Sequence, residues 1–282
     1  MFVPAVSYVE DAMKLFTLGA RRNARAVSAR GFAVPLLMVL YFFSLATEAP
    51  AVGGISNSKI NVLSADTVPQ KHVEVEPFFS LEFEDDGNDT VRFGGGLRLT
   101  PGLLENLEAG VNINYLNVED SELIRAESDF GDVEAGVKFM FLDEEKGYPV
   151  SLAYQGGVTF PVGDGALWIV EPGGLILTKN FTDKFSTDAD FVFGIIEHGS
   201  RSFVTDVGFG YFLTPWLQAV AEGAYAFEDP GAGGDISVIN VTGGFTATAA
   251  EWLTVIMGVT PDVYTKNADR LVVITAAFTF FF

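Results

Sequence analysis

The sequence predicts an all-β chain, a transmembrane antiparallel up-and-down β-barrel of about twelve strands with both termini on the periplasmic side. Three observations predict it. Segments that alternate apolar with polar or small residues recur from His72 to the end of the chain, with nothing helical between them. So many apolar faces and no second layer to cover them suit a wall with lipid outside. The connections alternate between compact turns and Asp- and Gly-rich loops, and the chain closes on an apolar strand ending in three phenylalanines.

Composition agrees with this reading. The 282 residues are 49% hydrophobic, with mean hydropathy +0.29 and a net charge of −20. A chain both greasy and acidic fits a single packed core poorly. Thirty glycines suit bent, crowded strands, and 26 phenylalanines suit a wall that meets membrane interfaces. Cysteine is absent, which excludes thiol catalysis and cysteine-ligated metal. The acidity excludes nucleic acid as a partner.

The amino terminus has the pattern of an export signal. Arg21, Arg22, Arg25 and Arg30 lead into an apolar run from Gly31 to Ala46, and Ala49-Pro50-Ala51 offers a small-residue cleavage site. The run is shorter than the ~20 residues of a spanning helix, and Pro35 interrupts it. Residues 1–51 are therefore expected to be a cleaved signal, 52–71 a short periplasmic leader with no domain of its own, and 72–282 the barrel.

Strands are expected at about 72–84, 89–101, 106–118, 131–142, 148–160, 167–179, 184–197, 201–213, 215–227, 235–248, 251–264 and 269–282. In the third, Leu107, Ala109, Val111, Ile113 and Tyr115 alternate with Glu108, Asn112 and Asn114. The fourth sets Val133, Ala135, Val137, Phe139 and Phe141 against Glu134 and Lys138, and the seventh sets Phe185, Ala189, Phe191 and Phe193 against Asp188 and Asp190. Compact turns are expected at 100–106, 143–147, 178–183, 214–216 and 249–252, with Trp216 and Trp252 in an aromatic girdle beside them and Trp168 near the other rim. The longest and most charged loop is expected at 117–132, the natural place for a constriction or a partner contact. In the last strand Phe278, Phe280 and Phe282 share one face, and the terminal aromatic resembles the assembly signal of bacterial outer-membrane barrels. That likeness implies the barrel assembly machinery as a partner, beside membrane lipid and a small-molecule solute.

Two turn phrases recur, Leu-Thr-Pro-Gly at 99–102 and Leu-Thr-Pro-Trp at 213–216, with a related Leu-Thr-Lys-Asn at 177–180. This hairpin grammar, from Glu74 to Phe282, resembles the outer-membrane transporter-like barrels named for the meta-pathway of phenol degradation. The resemblance implies a channel for small, often aromatic, solutes and supplies no diagnostic residue.

Alternation also assigns an inner face. With apolar residues outward, the lumen-lining set is Glu74, Glu76, Glu82, Glu108, Glu134, Glu171, Asp188, Asp190, Asp206 and Glu222, against Arg92, Arg98 and Lys138. Such an excess of acid needs water or partners. It points to a narrow, hydrated, cation-tolerant channel in which Arg92 and Arg98 oppose the acids across a transverse field. A non-conducting barrel with a packed polar interior, or one that binds a partner through its loops, fits the same residues.

Catalytic readings are thin. Two histidines are present, and His198 with Ser200 has the i, i+2 spacing of a Ser–His pair on a strand, a spacing that resembles outer membrane phospholipase A. No acid or amide is placed to orient the imidazole, and Glu197 to Ser202 reads as a surface turn. Asp183, Asp188 and Asp190 could suggest calcium, but spacing of this kind is also a plain inner face. No cofactor and no nucleotide-binding loop is expected, so transport would be passive.

Overall fold

Strands of 10 to 18 residues, each donating and accepting along both edges, can satisfy every backbone group only if the sheet closes on itself. The computed structural model does so. It describes residues 55–56, 59–85, 90–120, 125–162, 168–231 and 234–282; the expected signal and its cleavage site lie outside the described residues. The strands are β1 (Val73–Asp85), β2 (Thr90–Leu104), β3 (Leu107–Asp120), β4 (Arg125–Leu142), β5 (Ser151–Phe160), β6 (Ile169–Thr182), β7 (Phe185–Ile196), β8 (Arg201–Thr214), β9 (Leu217–Asp229), β10 (Ile236–Ala250), β11 (Leu253–Lys266) and β12 (Arg270–Phe281). Each pairs antiparallel with its sequence neighbours, and β1 closes on β12, giving a twelve-stranded barrel. Phe282 and Val73 exchange two backbone hydrogen bonds of 3.0 Å at the closure.

Outer and inner faces separate as alternation requires. Leu97, Leu99, Val111, Ile113, Val137, Phe139, Phe209, Val241, Val259 and Ile274 are exposed, while intervening residues such as Arg98, Glu108, Lys138, Thr242 and Thr260 are buried. An exposed apolar belt around the whole ring is a surface for hydrocarbon. Trp216 and Trp252 stand exposed in the turns after β8 and β10. Trp252 stacks on Phe280 with ring centroids 6.1 Å apart, and His72 stacks on Phe281 at 4.9 Å.

The compact turns are as short as the phrases suggest. Residues 105–106, 183–184, 215–216 and 251–252 alone separate the flanking strands. The β4–β5 turn adds a 3₁₀ turn, Glu144–Lys146, capped by the Asp143 side chain on the Glu145 amide and closed by Gly147 at φ 93. Glu144 accepts the Asn180 amide at 2.9 Å and pairs with Lys179 across the turn. The Lys179 ammonium holds its carboxyl below the usual carboxylate range.

The expected long loop at 117–132 is mostly sheet. The β3–β4 ladder continues through Val118 opposite Glu127 to Asp120 opposite Arg125, which leaves 121–124 as the connection. Where no apolar face is required, the sequence drops the alternation that marks a strand, and the residues at 117–132 are correspondingly polar.

Candidate functional site

The stretch that reads as a leader is inside the barrel. Over its described part, residues 55–56 and 59–71, the only regular structure is one isolated bridge residue, Leu63. Its apolar side chains are nevertheless among the most buried in the chain: Leu63 and Ala65 are wholly enclosed, and Ile55, Ile60, Val62 and Val68 nearly so. Ile55, Leu63 and Ala65 pack against Met140, Ala153, Ile176 and Val192 on the inner faces of β4 to β7. Ile60 packs with Val220, Ile256 and Ala277, backed by Phe78, on β9, β11, β12 and β1.

The wall makes room with glycine. A Cβ on Gly258 would sit 2.8 Å from Ile60 Cδ1, and one on Gly208 would meet Lys59 Cδ at 3.0 Å and Val62 at 3.1 Å. These inward glycines mark where the segment approaches the sheet most closely.

A peptide with no ladder of its own must find other acceptors for its N–H groups, and the inner-face carboxylates provide them. Glu108 accepts from the Ser56 amide and the Val68 amide, both at 2.7 Å, so one side chain fastens both ends of a loop. Glu222 accepts from the Ile60 amide at 2.9 Å, the Asn61 amide at 3.1 Å and the Asn61 side chain at 3.0 Å. Asp190 accepts the Leu63 amide at 3.0 Å, and Thr178 Oγ1 accepts the Ala65 amide at 2.8 Å.

Cations complete the arrangement. Lys59 of the segment forms a buried ion pair with Asp188 on β7, whose other oxygen takes the Thr178 hydroxyl at 2.5 Å. Lys138 on β4 donates to the Ser56 carbonyl at 3.1 Å and the Ser64 carbonyl at 3.0 Å, and lies 3.2 Å from Glu108. Donor and acceptor chemistry thus matches over four sides of the ring, because the segment brings amides and an ammonium to a wall rich in carboxylate oxygens.

The other residues named from alternation lie elsewhere on the inner face. Arg98 is 2.7 Å from Glu76, its ladder partner on β1, and Glu76 also accepts the Thr279 hydroxyl. Arg92 pairs with Glu84, also on β1. Both arginines are therefore neutralised by the adjacent strand, and the expected transverse field across the lumen is replaced by local pairs. Glu134 accepts from Asn112 at 2.9 Å and Asn114 at 3.0 Å. Asp206 stands opposite Asp190 in the β7–β8 ladder, and Glu82 is fully buried on β1. Glu74 pairs with Thr100 and Phe281 in the ladders of β1, and Glu171 is buried opposite Gly157 in the β5–β6 ladder. Gln155, fully buried beside Lys138 in the β4–β5 ladder, has both amide atoms unpartnered among the described residues.

His198 and Ser200 do not share a strand face. They lie in the Glu197–Gly199 3₁₀ turn and its end, with Gly199 at φ 92, so the spacing that suggested a Ser–His pair does not apply. Among the described residues no group of three His, Asp or Glu side chains is placed to hold a metal ion.

The sequence carried one signal for the segment: five large apolar residues, Ile55, Ile60, Val62, Leu63 and Val68, and Lys59 within an otherwise small and polar stretch. Without periodicity they gave no pattern, because a chain bound through its backbone has none to show.

No protein-family model and no curated protein matches the chain. Solved structures are similar to it. An outer membrane channel from Pseudomonas putida F1 matches with a TM-score of 0.65 at 13% identity, covering 77% of this chain and 98% of that one. The NanC porin matches at 0.48 and 9%, over 74% and 98% of the two chains, and the KdgM porin at 0.46 and 8%, over 73% and 99%. With its closed ring of twelve antiparallel strands and its exposed apolar belt, the chain has the fold of an outer-membrane β-barrel.

Proposed function

We infer that the protein is a bacterial outer-membrane channel through which small solutes pass down their gradients, and that the segment around residues 55–71 closes it at rest. One observation carries the reading. Between Ser56 and Ala65 wall side chains accept the occupant's backbone amides, while backbone bonding to a strand enters at Lys71, whose amide donates to Gly102 on β2, so the enclosed part is held chiefly by side chains. The exposed belt supports insertion in lipid. The signal-like residues 1–51 support export, and the short-turn rim shared by both ends of the barrel supports periplasmic termini. Phe278, Phe280 and Phe282 serve as the assembly signal in this reading, and the resemblance to phenol-pathway barrels adds aromatic molecules to the solutes.

Single-channel recording in planar bilayers tests it. The chain without residues 55–71 should give a steady unitary current, and the full mature chain a smaller or intermittent one. No current from either form ends the channel reading.

A second reading has its own support. Two apolar clusters seat the segment inside the wall, as a permanently filled structural barrel would require. That reading predicts silence from both forms and retained partner binding through the loops.

A further inference from the structure

We propose that Gln155 keeps the segment releasable: it is a wall side chain whose hydrogen-bonding groups the seated segment leaves unmet, and it sets how firmly the lumen is closed. The inference rests on the reading that the segment closes the channel and names a residue that regulates that closure. Gln155 lies on the inner face of β5, opposite Lys138 on β4 and Gly174 on β6. It is wholly enclosed, and an inward side chain of a barrel wall is enclosed only when something in the lumen covers it. The segment occupies the lumen at this place. Lys138 donates to the Ser56 and Ser64 carbonyls, and Ala153, the next inward residue of β5, packs with Ile55, Leu63 and Ala65.

Around Gln155 the bonds to the segment are made. Lys138 takes two carbonyls, Thr178 Oγ1 takes the Ala65 amide at 2.8 Å, and Glu108 takes the Ser56 and Val68 amides. Neither Oε1 nor Nε2 of Gln155 has a hydrogen-bond partner among the described residues. The side chain is folded aside onto β6, where a Cβ on Gly174 would sit 3.0 Å from its Cγ and from its Nε2. The amide therefore lies along the wall and bonds to no described group of the segment. An enclosed amide with neither group bonded is costly, whereas the same amide in a wet lumen bonds to water. That cost falls on the seated state alone. An apolar side chain of similar size would fill the same space without it, so the polarity of Gln155 weakens closure by about tenfold, the order of one unmade neutral hydrogen bond. The carboxylates draw the segment in and Gln155 opposes them, which leaves a closed state that opens with the wall intact.

Hydrogen exchange of the full mature chain in lipid vesicles tests this. Gln155→Met keeps an unbranched side chain of similar length and removes both polar groups. Amides of residues 59–63 should exchange about tenfold more slowly in the variant, while peptides from β2 and β8 keep their protection. Replacing a buried residue ordinarily loosens its surroundings, so tightening is an outcome that a merely structural glutamine does not give. Gln155→Leu repeats the measurement with a different shape. Slower exchange confined to the segment in either variant supports the assignment. Exchange unchanged or faster in both variants, or slowed equally in the strands, overturns it. The channel reading fails separately: no unitary current from the chain lacking residues 55–71 ends that reading, while exchange of the segment still decides the role of Gln155.

Discussion

Replacing Glu222 with alanine isolates the hold of the wall on the segment. Glu222 receives three donors at 2.9 to 3.1 Å, two of them backbone amides, and it forms no ion pair among the described residues, so its removal strands no described cation. A hydrogen bond to a charged group contributes about 1.5 to 3 kcal/mol net. Asn61 is only half-buried, so water replaces part of what its two donors lose, and the expected destabilisation of the seated segment is about 3 kcal/mol. That difference is about a hundredfold in the population of the released state. Hydrogen exchange followed by mass spectrometry reads it directly: amides of residues 59–63 should exchange about a hundredfold faster in Glu222→Ala, while peptides from β2 and β8 keep their protection. Unchanged exchange in the segment, or equal acceleration throughout the strands, refutes the carboxylate clasp.

Three further outcomes follow from the same geometry. Gly258→Leu places carbon against Ile60, so it should release the segment with the barrel intact; adding Ile60→Ala should restore part of the seating, a coupling of about 1 kcal/mol by double-mutant cycle on segment exchange. Arg98→Ala leaves Glu76 buried without its 2.7 Å partner and should lower barrel stability by about 3 kcal/mol in urea unfolding from lipid vesicles; full retention of stability would show that the pair is replaceable. In the β4–β5 turn the Glu144 carboxyl is held low by Lys179, so its contribution is present above the ordinary carboxylate pKa and lost as pH falls through the lowered one. Glu144→Gln should therefore be slightly less stable than the parent at pH 7 and equal to it at pH 2; a difference that grows toward acid reverses the sign.

Much of the wall was legible because its physics is periodic. Lipid on one side and enclosure on the other force alternation, and residues such as Val137 and Phe139 against Lys138 reveal the face of a strand without any neighbour. The hairpin at 117–132 escaped because that constraint stops where the bilayer stops. The lumen escaped for a different reason. Ten carboxylates against three bases on one face record an excess of acceptors, which water or a donor-rich occupant relieves equally well, and nothing in the strands distinguishes the two. The occupant was the described part of the expected leader, residues 55–56 and 59–71, whose contacts run to strands up to 199 residues away, as from Asn61 to Thr260. Local pattern carries no trace of partners so distant. The arginines show the same limit at shorter range: alternation placed Arg98 inward, while only the β1–β2 register sets it opposite Glu76.

The most direct measurement is covalent. Ala65 and Ile176 share one buried cluster between the segment and the wall, and a chain with no native cysteine can carry Ala65→Cys and Ile176→Cys as its sole thiols. Mild oxidation of intact outer membranes should join residues 65 and 176 in one disulfide-linked peptide pair, found by mass spectrometry without reduction. Two thiols that stay separate and label freely from the aqueous phase would contradict a segment seated inside the barrel.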